Sequence, residues 1–547
     1  MRKYINFFIL LNLFFCNLTI LFAVGRTEVV GWTKTEQLCG VVYTYCRVDN
    51  IRHNIHVYWL WSDGNNNNRN QRYNFYDYLS HSWSWADSGI KVFSQRSGYG
   101  SMDYDPITGI MVASTQQAQS GGVVPIIVKD SSPGAGVFTQ CQGPTYYQGP
   151  LVAVTNNQAI HLAMANYFDQ DSLWYTRCQP WNTWSLPIRV PPPAPSPFFP
   201  CYNICASKVS DKVVITWEES EPVSGNQERG YYRLSDDGGV NWSSSTQVPF
   251  PPAFSGETLS SFHIAGLYPM FDINDNLHIV TQVHPAHDSA YYAWPTEIWH
   301  YSPINNPVWS RIARRGADTI GGIGWSVGYN ALSACRTSLI QNVDNGYLYT
   351  AWEAFDSLNY EPLTGLLRAD IWIAESRNNG LSWSRPMRVT NPNTTSKRYP
   401  CLGGIVDDSL VLAYMIDSIA GFENSAQGRA TWNPIVVHRI KTPLGIKEEQ
   451  STQKIRNFAL DVIPNPFSRQ TMIHFSLPIN SNANLEIYDI SGKLVRTLFN
   501  IQCQASHIYS VNWDGKCENN IKLPYGVYFL NLKANKVNVI KKIILLP

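Results

Sequence analysis

Short apolar runs separated by polar turns recur along most of the chain and predict strands throughout. Each unit begins with an aromatic or small residue and a short strand, passes through a turn rich in Asp, Asn or Gly, and reaches a strongly apolar strand. The units begin near Tyr45, Tyr99, Tyr147, Phe199, Leu267, Ser333 and Tyr399. The apolar strands expected in them are 55–60, 110–114, 160–165, 213–218, 277–282, 347–352 and 410–415. No stretch shows convincing helical periodicity, so the pattern predicts an all-β protein.

A third strand follows in most units, and the turn after it ends in tryptophan. The tryptophans at that place are Trp85, Trp184, Trp242, Trp309 and Trp383. Strands grouped in such repeats favour a β-propeller over a sandwich, because radial repetition leaves only short, protected sheet edges. Seven units therefore predict seven blades. The last unit stops after its third strand and the segment 26–34 has no repeat of its own, so we expect this segment to supply the missing outer strand and close the ring.

The last part of the chain differs from the repeats and predicts a small antiparallel β-sandwich. Its runs of alternating apolar and polar residues are separated by turn sequences at 489–492 and 514–515. The order of its motifs, at 465–468, 475–478, 485–489, 513–515, 525–529 and 541–546, resembles the C-terminal sorting domain of the type IX secretion system. That domain is itself similar to the FlgD-type immunoglobulin-like module. The resemblance implies export and contact with the secretion machinery; an accessory sandwich without an export role is the alternative.

The N-terminus agrees with export. Arg2 and Lys3 precede an apolar run at 7–24, with Ala23 and Gly25 as small residues at its exit, which is the layout of a secretory signal peptide. A retained membrane anchor is the alternative, although the run is short for a span. The expected organisation is a signal peptide at 1–25, a propeller at 26–441, a charged linker at 442–457 and the sorting domain at 458–547. The mature protein is then secreted or attached to the cell surface and has no membrane span.

Composition limits the partners of this protein. A formal net charge of +1, with 15% charged residues, produces no field strong enough to attract nucleic acid or an acidic polymer. Of the 11 cysteines, Cys16 lies in the signal peptide and the other ten form an even number in a chain bound for an oxidising compartment. Candidate pairs are Cys503 with Cys517 and Cys141 with Cys178, and the spacing leaves the connectivity open.

Two turns indicate the kind of propeller. The segments 235–242 and 376–383 resemble the Asp-box of sialidase-like (BNR) propellers, whose pattern is Ser-x-Asp-x-Gly-x-Thr-Trp. The matching positions are Ser235, Asp237, Gly239, Trp242, Ser376, Asn378, Gly380 and Trp383. The threonine is replaced by Asn241 in the first turn and by Ser382 in the second, where Asn378 replaces the aspartate. The resemblance implies that these residues have structural roles at the blade periphery.

The same resemblance implies what a sialidase-type funnel would need. Its catalysis requires an arginine cluster for the substrate carboxylate, an acid, and a tyrosine nucleophile activated by a glutamate. The Arg-Ile-Pro motif expected early in the family is absent from this chain. The candidates at strand starts and ends are Arg47, Arg336, Arg398, Glu218 and Glu353, with Glu219, Tyr231 and Tyr329 as further options. Solvated loop charges and strand-end ion pairs are the alternative interpretation.

No cofactor or metal site is predicted. Aligned repeats place a ring of sulfur side chains near the axis, interrupted at Pro150, and we interpret it as compact packing in preference to soft-metal binding. Its members are Cys46, Met102, Cys201, Met270, Cys335 and Cys401. The histidines His278, His284, His287 and His300 fall in one repeat, but no second carboxylate or cysteine stands near them at zinc-site spacing.

The leading functional prediction is binding. Aromatic residues in or beside polar loops, such as Trp59, Trp61 and Tyr73, have flat faces that suit sugar rings or partner proteins. We therefore expect the open end of the ring to bind a glycan or another surface component. A glycoside hydrolase of sialidase type is the second hypothesis, and a structural surface protein without catalytic activity is the third.

Overall fold

The computed structural model describes most of the chain. The described residues are 25–36, 44–168, 172–190, 201–220, 228–254, 259–262, 266–287, 290–291, 295–315, 327–328, 331–422, 426–442, 444, 459–477, 480–504, 508–534 and 537–547. The chain divides into two compact units, Met1–Gly445 and Ile446–Pro547. The apolar N-terminal run, most of the expected linker and Tyr329 lie outside the described residues.

The strands of the first unit form seven antiparallel sheets, which are the blades of a β-propeller. Each blade begins with its inner strand and pairs its main strands in chain order. The strands up to the third blade are β1 (Arg26–Thr33); β2 (Cys46–Val48), β3 (Ile55–Trp61), β4 (Asn70–Asp77), β5 (Ser82–Trp83) and β6 (Ile90–Lys91) in blade 1; β7 (Met102–Tyr104), β8 (Met111–Gln119), β9 (Gly122–Asp130) and β10 (Phe138–Gln142) in blade 2; and β11 (Tyr147–Val154), β12 (Ile160–Asn166), β13 (Leu173–Cys178) and β14 (Ile188–Arg189) in blade 3.

The remaining blades repeat this arrangement. In blade 5 the path of the sheet is β19-β21-β23-β24, and the short strands β20 and β22 also pair with β21. The strands are β15 (Tyr202–Ala206), β16 (Val213–Ser220), β17 (Glu228–Ser235) and β18 (Thr246–Val248) in blade 4; β19 (Leu259–Ser261), β20 (Tyr268–Phe271), β21 (Leu277–His287), β22 (Ala290–Tyr291), β23 (Thr296–Tyr301) and β24 (Trp309–Arg315) in blade 5; β25 (Ala334–Gln341), β26 (Leu348–Tyr360), β27 (Leu367–Ser376) and β28 (Met387–Arg388) in blade 6; and β29 (Ser396–Val406), β30 (Ser409–Asp417) and β31 (Asn433–Lys441) in blade 7.

The second strand of each blade carries the apolar run seen in the sequence. Six of the seven residues of β3 are buried, and so are eight of the nine residues of β30. Both faces of such a strand are covered because its sheet packs between two neighbouring blades, so the run is continuous and does not alternate. Trp59 and Tyr73 are buried in this packing. The predicted seven-bladed fold is confirmed.

Blade 7 is completed by the first strand of the protein. β1 pairs antiparallel with β31, from Arg26 opposite Arg439 to Thr33 opposite Asn433. Val30 on β1 is fully buried in a cluster that includes side chains of blade 1 and blade 7. The two ends of the array are therefore joined within one sheet, as the sequence predicted.

The second unit is a β-sandwich of two sheets, ordered β32-β33-β36 and β35-β34-β37-β38. Trp513 and Phe467 lie in its core. The predicted turn at 489–492 is present: the Asp489 Oδ1 atom accepts hydrogen bonds from the backbone N–H groups of Ser491 (2.9 Å) and Lys493 (3.1 Å). The strands are β32 (Ala459–Ile463), β33 (Thr471–Ser476), β34 (Ser481–Tyr488), β35 (Leu494–Cys503), β36 (Ile508–Trp513), β37 (Gly526–Ala534) and β38 (Val537–Leu545).

Helix is almost absent from the described part of the chain, where one turn of 3-10 helix, Asn66–Asn68, is the single helical element with assigned bounds. In those same residues no helix is long and apolar enough to cross a membrane.

Candidate functional site

Three of the predicted catalytic residues meet in blades 6 and 7. Glu353 on β26 accepts hydrogen bonds from Arg336 Nη1 on β25, from Arg398 Nε on β29 at 3.2 Å, and from the backbone N–H of Tyr399 at 2.8 Å. The side chains of Arg336 and Arg398 are 2% and 3% exposed, and that of Glu353 is fully buried. The structure thus brings together two arginines and one carboxylate from three different strands. We call Arg336, Glu353 and Arg398 the arginine–glutamate cluster.

Two β-bulges aim the arginines at this carboxylate. The pairing of β25 with β26 shifts between Cys335 and Ser338, and Arg336 within the shift has a φ of 56°. The pairing of β29 with β30 shifts between Arg398 and Cys401, around Tyr399 with a φ of 60°. Positive φ is uncommon for residues other than glycine, and a bulge changes the direction of the side chains beside it. Equivalent bulges in adjacent blades therefore create the cluster.

The cluster is charged. Burial alone would raise the pKa of Glu353, but the positive charges of Arg336 and Arg398 outweigh burial and hold that pKa below its ordinary value. Each guanidinium carbon also lies 5.0 Å from the centre of the Tyr399 ring, which is a cation–π distance. The two arginines are stabilised by one buried carboxylate and one aromatic face, so they are already occupied by protein groups.

A second carboxyl group near the cluster was missed by the sequence analysis. Asp417 at the end of β30 is 2% exposed, and burial, followed by the charge of Glu36, raises its pKa to about 8. Its Oδ1 atom accepts hydrogen bonds from the Ile419 N–H and from Asn433 Nδ2, each at 3.2 Å. The signal was available, because Asp417 closely follows the apolar run 410–415 in the sequence, as Glu353 follows the run 347–352. At neutral pH the site therefore holds one ionised carboxyl group and one that is largely protonated.

Glu218 occupies the matching strand end in blade 4 but does not join the cluster. Its Oε1 atom accepts a hydrogen bond from the Gly266 N–H at 2.8 Å. Burial, and then the charge of Glu228, raises the pKa of Glu218 well above its ordinary value. Glu219 beside it accepts a hydrogen bond from Trp217 Nε1 at 2.7 Å, and Tyr231 stacks on the Trp217 ring. The catalytic roles assigned to these residues stay predictions.

Arg47 also lies apart from the cluster, although it follows a cysteine just as Arg336 does. The β2–β3 pairing is regular at Arg47, so no bulge redirects this side chain. Its Nε atom lies 3.5 Å from Asp103 Oδ1, and its Nη2 donates to Thr44 Oγ1 at 3.2 Å. Arg47 faces a cavity on the axis of the ring.

This axial cavity has a volume of about 370 Å³ and is lined by residues from all seven blades. Lys208 makes three polar contacts at this cavity. Its Nζ lies 2.6 Å from Asp103 Oδ2 and donates to the carbonyl oxygens of Val154 (2.8 Å) and Tyr104 (3.2 Å). The apolar wall includes Ile204 and Leu339. Other polar side chains at the cavity are Arg47, Asp272 and Gln341. The sequence analysis placed Arg47 in the funnel but overlooked Lys208 and Asp103.

The predicted sulfur ring is largely buried. Cys46, Met102, Cys201, Cys335 and Cys401 are each no more than 4% exposed. Cys335 donates to Glu353 Oε1 at 3.4 Å, and Cys401 donates to the backbone oxygen of Cys46 at 3.8 Å. Within the described ranges, no group of three or more His, Cys, Asp or Glu side chains is arranged to hold a metal ion.

Two of the four grouped histidines hydrogen-bond each other. His278 Nδ1 lies 2.9 Å from His300 Nε2, and His278 Nε2 lies 3.4 Å from Asp272 Oδ2. Burial, and then the charge of His278, lowers the pKa of His300 to about 3. His300 is therefore neutral at physiological pH. The side chain of His287 lies outside the described part of the chain.

The turn at 235–242, between β17 and β18, is closed by its own side chains. Ser235 Oγ accepts from the Gly239 N–H at 2.8 Å, and Asp237 Oδ1 accepts from the Asn241 N–H at 2.9 Å. These bonds hold the pKa of Asp237 at about 2, with the backbone bond from Asn241 as the main cause. Trp242 packs edge-on against an aromatic ring of blade 3 at 4.7 Å.

The turn at 376–383, between β27 and β28 of blade 6, repeats this pattern. Ser376 Oγ accepts from the Gly380 N–H at 2.9 Å, and Asn378 Oδ1 accepts from the Ser382 N–H at 2.9 Å. Trp383 Nε1 donates to a serine of blade 5 at 3.1 Å. Both turns thus fasten one blade to the preceding one. Their assignment to the sialidase-like family stays a prediction.

Comparison with known proteins identifies the second unit. Residues 461–546 match the family described as the secretion system C-terminal sorting domain. Such a domain directs export by the type IX secretion system, so the protein is located at the cell surface or outside the cell, and its sandwich is a partner of the secretion machinery. No curated protein matches the chain.

Three solved structures have a similar chain fold: two are enzymes, and one is the propeller domain of a protease. An ulvan lyase from a polysaccharide lyase family is 11% identical, with 77% of this chain and 96% of that chain covered and a TM-score of 0.48. A Hadza microbial sialidase is 12% identical, with 68% and 73% covered and a TM-score of 0.36. The β-propeller domain of the Trilobed protease from Pyrococcus furiosus is 8% identical, with 70% and 92% covered and a TM-score of 0.36. With TM-scores below 0.5, these likenesses say nothing about activity.

Proposed function

We propose that this exported propeller binds a glycan or another surface component in the axial cavity of its ring. The observation that carries the proposal is the cavity itself. Its volume of about 370 Å³ falls in the range of ligand pockets, which is about 300–1,000 Å³. Every blade contributes to its wall, so the ligand would be held by the rigid inner strands and not by a single loop.

The chemistry of the wall suits a sugar. The side chains of Lys208 and Arg47 are 23% and 25% exposed, so their N–H groups are accessible to hydroxyl or carboxylate oxygens of a ligand. Asp103 and Gln341 supply acceptors, and apolar side chains such as Leu339 supply a surface for the C–H face of a sugar ring. A few placed polar groups on a mainly apolar wall are typical of binding sites.

Hydrolysis of sialidase type is the second proposal, and the arginine–glutamate cluster is the observation that favours it. Two arginines, a glutamate and Tyr399 lie together, which are the residue types that this chemistry uses. However, Arg336 and Arg398 are buried and paired with Glu353, so a substrate carboxylate would have to displace a protein carboxylate. This makes binding the better supported proposal, and a purely structural role is the third.

The test measures retention and release together. The purified full-length protein is incubated with a panel of sialylated and other glycans, and both bound glycan and freed sugar are scored. We expect retention without release. Val343→Trp should abolish retention, because Val343 lines the cavity and its side chain makes no hydrogen bond that the change would remove.

Lys208→Ala should weaken retention, whereas Lys212→Ala on the same blade should not, because Lys212 does not line the cavity. Thermal unfolding of each variant checks that the propeller is intact. Release of sugar that is lost in Glu353→Gln would establish the sialidase proposal instead. If the protein neither retains a glycan nor releases sugar, the binding proposal and the hydrolase proposal are both wrong, and the structural role remains.

A further inference from the structure

Two cysteines meet across the boundary between blades 2 and 3. Cys141 lies on β10, the outer strand of blade 2, and Cys178 is the last residue of β13 in blade 3. They are 5% and 2% exposed and belong to one apolar cluster that contains side chains of both blades, among them Ile127 and Leu162. The two thiols hydrogen-bond each other, so the sulfur atoms already face one another across the boundary.

We propose that Cys141 and Cys178 form a disulfide that joins blade 2 to blade 3 in the exported protein. The proposal stands on the thiol–thiol contact and on the destination of the chain. Residues that are bridged need close backbones and facing side chains, and a contact between the sulfurs supplies the second condition. The sorting domain sends the protein out of the reducing cytosol. Disulfides persist in the oxidising environment outside it.

Three cysteines of the inner strands have different partners. Cys335 donates to a carboxylate oxygen of Glu353, while Cys401 and Cys205 donate to backbone carbonyl oxygens. Cys178 Sγ also donates to the Pro180 carbonyl oxygen at 3.5 Å, but Cys141 and Cys178 differ from these cysteines in that their two thiols also hydrogen-bond each other.

The boundary between blades 2 and 3 must still be open when oxidation begins, because both thiols are buried in the folded blades and an external disulfide cannot reach them there. Lys129 lies near both thiols, and its positive charge favours their thiolate forms. A thiolate is the nucleophile of thiol–disulfide exchange, so the step starts from either cysteine and the two orders give the same product.

The oxidant is a disulfide, either of a small molecule such as oxidised glutathione or of a protein. In one order, the Cys178 thiolate attacks one of its sulfurs, a mixed disulfide forms, and the first thiolate leaves. Cys141 then loses its proton and attacks the Cys178 sulfur, so the second thiol leaves and the Cys141–Cys178 bond is complete. Overall, two protein thiols are oxidised and one external disulfide is reduced to two thiols.

The test maps free and bridged thiols in the full-length protein. The protein is folded with a mixture of oxidised and reduced glutathione, denatured, and alkylated with iodoacetamide before any reduction. Digestion and mass spectrometry should then find a linked pair of peptides that carry Cys141 and Cys178, and neither residue should be alkylated until a reductant is added.

Four variants sharpen the result. In Cys141→Ser and in Cys178→Ser the remaining partner should become alkylated without reduction, whereas Cys205→Ser should keep the linked peptides. Reductant should lower the thermal midpoint of the original protein and leave that of the double Cys141→Ser, Cys178→Ser variant unchanged. Alkylation of both cysteines in unreduced protein, or a link from either one to a third cysteine, would overturn the proposal.

Discussion

The sharpest test of the arginine–glutamate cluster is the substitution Glu353→Gln. Glutamine has nearly the volume of glutamate, so the change creates no cavity; it removes the negative charge and replaces one acceptor oxygen by an NH2 donor. Arg336 and Arg398 would then stay buried with two positive charges and no counter-charge. Their positive charges would also repel each other in a site that excludes water. We therefore expect the free energy of unfolding of the propeller to fall.

The size of the effect follows from the burial of the cluster. Removing one partner of a buried ion pair costs about 3–5 kcal/mol, because the desolvated charge that remains is uncompensated. Unfolding entropy is about 2.1 cal/mol/K per residue, so for a cooperative unit on the order of 400 residues this cost corresponds to a fall in Tm of about 4–6 °C. The backbone bond from Tyr399 can still be accepted by the glutamine oxygen, which keeps the expected loss within this range.

Thermal unfolding followed by tryptophan fluorescence measures this change. The signal reports the propeller, because Trp513 is the single tryptophan of the second unit. Asp236→Asn is the matched control. It also neutralises a carboxylate beside a cation, but the Asp236 side chain is 79% exposed and its oxygen lies 3.8 Å from Lys212 Nζ. We expect this control to change the stability by less than about 1 kcal/mol.

The pH dependence of the unfolding free energy provides a second test of the ionised cluster. The pKa of Glu353 is depressed below its ordinary value of 4.5, so its stabilising contribution is present above that value and is lost as the pH falls through the folded pKa. The gap between the original protein and Glu353→Gln should therefore narrow in acid. A shift no larger than that of Asp236→Asn, or a gap that is constant down to acid pH, would refute the description of a buried ionised cluster.

Two further predictions concern a buried acid and the closure of the ring. Asp417 has its pKa raised from 3.8 to about 8, so the folded state keeps a proton that the unfolded chain releases, and stability should decline by at most about 1.4 kcal/mol per unit as the pH rises from 4 to 8. In urea unfolding, Asp417→Asn should remove this decline and be the more stable protein at pH 8; parallel curves for the two proteins would contradict the buried acid. Val30→Asp should lower stability by about 3–5 kcal/mol because it buries an unpaired charge in the closing strand, whereas Val29→Asp, at a side chain that is 38% exposed, should change it little. Equal effects of the two valine variants would show that β1 does not pack as described.

Three of the candidate residues could be found because residues near strand ends can be read from the pattern of apolar residues; their catalytic roles stay predictions. Arg336, Glu353 and Arg398 were chosen as residues at the ends of apolar or inner strands, and they do meet. The same rule selected Arg47, which faces the axial cavity and not the cluster. The difference is a bulge at Arg336 that Arg47 lacks, and nothing in the two Cys-Arg sequences distinguishes them.

Some features of this protein therefore follow from the sequence alone, and others depend on the tertiary structure. By itself the sequence determined the strands, the number of blades, the closing strand and the exported tail, because each depends on a local period of apolar and polar residues or on a run of local motifs. Tertiary structure alone decided which strand-end side chains meet, since these contacts join distant segments; Tyr45, for example, donates its hydroxyl hydrogen to the backbone oxygen of Tyr399, 354 residues away. Such contacts depend on bulges and on the packing of neighbouring blades, which rotate side chains without changing the apolar pattern that specifies the strands.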